Sequence, residues 1–182
     1  MLKSRLIPLL VCTAVLGCSD ATTGPASLLA PDVNAALGPA VASARGGAHW
    51  TIPPERFGFE IGNKLSFTAT KYADGSVDGR INYHQSFLGF DIHLNARVTC
   101  MEVYDGNRVK YGGVVEVSND PDIAPGETFI WFQGLDHGEG ANAAPDQSTI
   151  AGAGNEAANE AFCASSAPPV NIFDVTGNIQ VN

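Results

Sequence analysis

Between Phe90 and Cys100 apolar and polar residues alternate without a break. Phe90, Ile92, Leu94, Ala96, Val98 and Cys100 hold one phase, and Asp91, His93, Asn95, Arg97 and Thr99 hold the other. A repeat of two puts the first set on one face of an extended chain. A helix cannot do this, because its neighbours on a face recur at three and four. Leu65, Phe67 and Ala69 alternate with Ser66, Thr68 and Thr70 in the same way. The pattern predicts strands over 64–72, 77–85, 90–104, 108–117 and 127–135, with short ones around 170–175 and 178–181. Asp74-Gly75 and Asp105-Gly106-Asn107 separate these runs, and Asp, Asn and Gly tolerate the positive φ of tight hairpins. The one helical candidate is the short Ala/Asn/Glu segment 154–161. The expected fold is therefore all-β: a single antiparallel β-barrel or β-sandwich of about 7–9 strands.

The first eighteen residues, MLKSRLIPLLVCTAVLGC, follow another logic. Lys3 and Arg5 form a basic head, Leu6 to Leu16 an apolar run of eleven residues, and Gly17 precedes Cys18. The run is too short for a transmembrane helix, which needs about 20 residues. The order resembles a bacterial lipoprotein signal. That resemblance implies cleavage before Cys18 and attachment of acyl chains, palmitate among them, to Cys18. Ser19 after the cysteine is similar to signals that permit transfer to the outer membrane. Cleavage at Ala42-Ser43-Ala44, as in an ordinary secretory signal, would fall too far beyond the apolar run. The chain divides accordingly into a signal peptide over 1–17, an acylated cysteine with a flexible tether over 18–47, and an all-β domain over 48–182. The tether is rich in Ala, Pro, Gly and Ser, a composition that cannot bury enough surface to fold alone. The expected location is the cell envelope, at the outer membrane or cell surface, with the membrane contacted through the lipid.

Loss of Lys3 and Arg5 with the signal leaves eight basic residues against 19 acidic ones, a net of −11. Phosphate backbones repel such a chain, so nucleic acid is not an expected partner. With Cys12 removed and Cys18 acylated, Cys100 and Cys163 remain. An even pair in an exported chain reads as a disulfide. Closing a loop of this length stabilises by about 4 kcal/mol in the chain-entropy model. The alternation places Cys100 on the inward face.

Candidates for chemistry are few. His49, His84, His93 and His137 show no His-x-His or His-x3-His spacing, and there is no nucleophile elbow or phosphate loop. No catalytic residues are assigned, and the chain is not read as an enzyme. In an up-and-down order the turns at Asp74 and Asp105 fall at the same end as the loop 135–148, which holds Asp136, Glu139 and Asp146. Five carboxylates at one rim are a candidate Ca²⁺ site, while an acidic surface with Asp in its turns is the plainer reading. Phe129-Ile130-Trp131-Phe132 is apolar on both faces, which fits a strand covered on both sides. It also fits the wall of a cavity for a small apolar ligand inside a lipocalin-like barrel.

The stretches GFEIGNKLSFTATKYADGSVDGRINYH, VTCMEVYDGNRVKYGGVVEVS and GLDHGEGANAAPDQSTI are similar to uncharacterised β-domains of exported bacterial proteins. In those a strand ending in Val-Thr-Cys is followed by a Gly-Asn hairpin and an Asp-x-Gly-Glu loop. The resemblance covers about residues 57–182 and implies no activity. The expected role is a lipid-anchored binding or structural module, whose partner is a small apolar ligand or an envelope protein or glycan.

Overall fold

A computed structural model describes residues 38–140 and 142–182. The signal, Cys18 and the tether as far as residue 37 lie outside the described residues. Ten strands follow one another: β1 Ala40–Ile52, β2 Ile61–Tyr72, β3 Val77–Phe87, β4 Phe90–Tyr104, β5 Arg108–Ser118, β6 Phe129–Leu135, β7 Gln147–Thr149, β8 Gly152–Gly154, β9 Ile172–Asp174 and β10 Thr176–Val181. Two helices, α1 Pro54–Phe57 and α2 Glu156–Ala164, complete the described elements. All strand pairs are antiparallel, in the order β10-β1-β2-β3-β4-β5-β6-β7-β9, with β8 beside β6. The sheet rolls into a nearly closed barrel.

The interior is filled by side chains. Phe67 lies flat on Tyr111 with ring centroids 4.0 Å apart, and Tyr111 continues to Phe132 at 5.9 Å. Tyr83 meets Phe132 edge-on at 5.1 Å, a geometry the aromatic quadrupole favours. Ile52, Ile81, Val98, Met101, Val109, Val115, Ile130 and Ile179 pack around this column, all at most 2% exposed. The space a lipocalin-like ligand would need is taken by these rings.

β1 enters the stretch read as tether. Its inward residues are Ala42, Ala44, Gly46, Ala48, Trp50 and Ile52, a period of two written mostly in small residues. The smallness has a cause: Gly46 pairs with Phe67, and a Cβ there would lie 3.0 Å from the Phe67 ring and 2.7 Å from the carbonyl oxygen of Asn178. Glycine on β1 leaves room for the Phe67 ring of the neighbouring strand.

β4 departs from its sequence pattern at one point. The β4–β5 register slips between Val98 and Cys100, leaving Thr99 as an extra residue. The slip puts Met101 inside, where strict alternation would have put Cys100. Cys100 is half-buried on the outer wall and bonds to Cys163 of α2, with sulfurs 2.05 Å apart. The disulfide forms as the sequence implies, but outside the barrel.

Candidate functional site

The bulge and the disulfide together bring a helix onto the barrel's outer wall. Asn155 caps α2, its side chain accepting from the Ala158 amide at 3.0 Å. Asn159 is fully buried beneath the helix and donates to Thr99 Oγ1 at 3.1 Å, so the bulged residue is part of the anchor. Tyr104 Oη donates to the Cys163 carbonyl at 2.5 Å. On the strand below, a Cβ at Gly112 would stand 2.0 Å from Asn159 Oδ1, so only glycine lets the helix sit this close.

Covering the wall makes β5 and β6 buried on both faces. Facing outward, Lys110 pairs with Gln133 and Gly112 with Trp131 across the two strands. Beside α2 these side chains form the floor of a cleft of about 450 Å³. Trp131, Phe162, Ile150, Ala151, Pro168 and Val170 give it apolar walls. Trp131 lies on Gly152, where a Cβ would come within 2.0 Å of the indole nitrogen, and stacks on Phe162 at 5.8 Å.

Two polar groups sit in this apolar setting. Lys110 is 3% exposed; its Nζ donates to the Ser165 carbonyl at 2.6 Å and faces the rings of Phe162 and Tyr104 at 4.9 and 5.7 Å. Burial, and then the charge of Arg108, hold its pKa below the usual lysine value. Gln133 is 1% exposed, and its Nε2 has no hydrogen-bond partner among the described residues. An amide left unpaired at the floor of a cleft is a donor waiting for an acceptor.

The carboxylates read as a calcium set each accept hydrogen bonds or pair with a cation. Asp74 accepts from the Ser76 amide at 2.9 Å and hydroxyl at 2.6 Å, bonds that lower its pKa. Asp105 pairs with Arg108 at 3.0 Å. Asp136 accepts from the Gly138 amide at 2.7 Å and the Val181 amide at 3.0 Å. Asp146 accepts from the amides of His137 at 2.8 Å and Ile179 at 2.6 Å. Glu139 accepts from Asn178 Nδ2 at 2.7 Å and Gln180 Nε2 at 3.1 Å. The rim loop thus converges on β10, with Asp136, Glu139 and Asp146 each accepting from at least one β10 donor. Among the described residues no three His, Cys, Asp or Glu side chains form a metal-holding group.

Register also pairs two histidines that sequence spacing kept apart. His84 and His93 stand directly opposite on β3 and β4, stacked at 4.1 Å, with His84 Nε2 3.0 Å from Asp91 Oδ1. His49 is exposed, and His137 Nδ1 lies 2.6 Å from the Pro145 carbonyl.

The strand 129–132 is covered on both faces, as one reading held. Ile130 and Phe132 point into the core, while Phe129 is buried at 7% exposure. Trp131 is the residue that lines a cavity, and that cavity is outside the barrel. A signal for the cleft was present in the sequence: a lysine within the otherwise buried run Val109–Val115. Compared with protein-family models, curated proteins and solved structures, the chain matches none.

Proposed function

We propose that this chain is a lipoprotein of the bacterial cell envelope, held by acyl chains on Cys18, whose barrel binds a small amphiphilic ligand in the outer cleft. The reading rests on one observation: a buried lysine and an unpartnered buried amide at the floor of a cleft with aromatic and aliphatic walls. Among the described residues that line it, Lys110 is the only titratable side chain, which favours binding over acid–base catalysis. The packed interior turns the carrier hypothesis from the barrel's inside to its wall. Anchoring is supported by the order of residues 1–18, and the strongly acidic mature chain needs no membrane-binding surface of its own.

The test is native mass spectrometry of the full chain exported by a bacterial host and extracted in mild detergent. The expected masses begin at Cys18, carry acyl chains there, lack two hydrogens at Cys100 and Cys163, and include an organic adduct that Ala151→Trp, which fills the cleft, removes. A chain without acylation refutes the anchor. An adduct that survives Ala151→Trp refutes the cleft.

A further inference from the structure

Resting on the cleft reading, we propose that the ligand is an organic anion, with a carboxylate, sulfonate or comparable head seated on Lys110 and Gln133 and an apolar body against Trp131 and Phe162. Three observations carry this. First, the floor offers donors: the Lys110 ammonium gives one hydrogen to Ser165, and Gln133 Nε2 gives none within the described residues. Second, no ion pair holds that charge among the described residues. No acidic side chain lines the cleft, and no carboxylate lies within 4.0 Å of Lys110 Nζ among the described residues. Its charged neighbours are Arg108, a second cation already paired with Asp105, and Glu102, opposite it across β4 and β5 and already paired with Lys71. Third, the rest of the protein is acidic, yet the carboxylate opposite Lys110 across β4 and β5, that of Glu102, is paired with Lys71, so the buried cation is left without an ion pair of its own.

A cation taken out of water is costly unless it is paired. Here the aromatic faces of Tyr104 and Phe162 and one carbonyl supply part of that pairing, and the open side of the cleft is where the rest must come from. An anionic head would complete it through charge-assisted hydrogen bonds, and a turn of the Gln133 side chain would bring its buried amide to the same head. A neutral apolar ligand would leave both groups as they are.

The test compares two fluorescent probes of the same ring system, 1-anilinonaphthalene-8-sulfonate and the uncharged N-phenyl-1-naphthylamine, titrated into the oxidised full chain. The sulfonate is expected to bind at least about tenfold more tightly. Lys110→Met should erase that preference while leaving the affinity for the neutral probe within about twofold, and Lys110→Arg should keep it. Near-ultraviolet circular dichroism confirms that each variant is folded, and Gln133→Leu gives a second route to weaker sulfonate binding should Lys110→Met unfold the chain. Equal affinity for the two probes, with no response to Lys110→Met or Gln133→Leu, would overturn the anion assignment and leave the cleft as a site for neutral ligands. Failure of both probes to bind, or binding untouched by Ala151→Trp, would overturn the cleft itself.

Discussion

Asp146 offers the sharpest quantitative test of how this barrel is held shut. β10 pairs with β1 along one edge, and its other edge presents the amides of Ile179 and Val181. Asp146 and Asp136 accept these amides, so two carboxylates do the work of a neighbouring strand. Asp146 is 6% exposed, and the Ile179 it serves is fully buried. Its other carboxylate oxygen holds the His137 amide and so sets the path of the rim loop. A hydrogen bond to a charged group contributes about 1.5–3 kcal/mol, and a buried donor left without an acceptor costs about 1–3 kcal/mol. Asp146→Ala should therefore lose about 3–5 kcal/mol, a large share of the 5–15 kcal/mol that holds an ordinary domain together. Asp136→Ala, whose partners Gly138 and Val181 are reached by water, should lose about 1–2 kcal/mol. Urea unfolding of the disulfide-intact chain measures both, and hydrogen exchange at the Ile179 amide should accelerate in step with the Asp146→Ala loss. A change under 1 kcal/mol for Asp146→Ala, or a larger loss for Asp136→Ala, would refute the closure argument. If the rim held calcium, the ion would raise the urea midpoint; with Asp136, Glu139 and Asp146 accepting from β10 donors, added calcium should leave it unchanged.

Other consequences are more local. Replacing Cys100 and Cys163 by Ser should cost up to about 4 kcal/mol by urea unfolding, with exchange rising first in α2 and residues 165–171, because the disulfide ties that layer to the barrel. Gly112→Ala should destabilise by about 1–3 kcal/mol through the overlap with Asn159, and should weaken probe binding in the cleft by displacing α2. Tyr111 is fully buried with its hydroxyl unpartnered among the described residues, and burial raises its pKa well above 10.0, as burial also raises that of Tyr83. The folded state therefore holds these phenols neutral, so their contribution is intact below pH 10 and is lost above it, where the unfolded chain ionises first. Tyr111→Phe should be neutral or stabilising by about 1 kcal/mol at pH 7, and its alkaline unfolding, followed by circular dichroism, should be shallower than that of the parent.

The strands that sequence reading locates best are those with one wet face. Leu65–Thr70 and Phe90–Val98 alternate because each second residue meets water, and their hairpins carry the Asp, Asn and Gly that positive φ demands. β1 was hidden by its own composition. Gly46 is small because the Phe67 ring lies against it, and that ring belongs to β2. The inward placement of Cys100 failed at Thr99, because a bulge is an agreement between two strands and leaves no mark in one of them. The cleft was half legible: Phe129–Phe132 said that something covers the outer face of β6, and Lys110 lay in a buried run, but neither named α2 as the cover.

The amino-acid sequence by itself determined the class of fold, the turns, the disulfide partners and the acidic balance, since each of these follows from residue type and near-neighbour spacing. The tertiary structure alone decided which face Cys100 takes, that the rim carboxylates close a seam, that His84 meets His93, and that a lysine and an amide share a floor under Trp131 and Phe162. Those facts depend on register and on packing between residues far apart in the chain. Such contacts form only when the whole sheet closes.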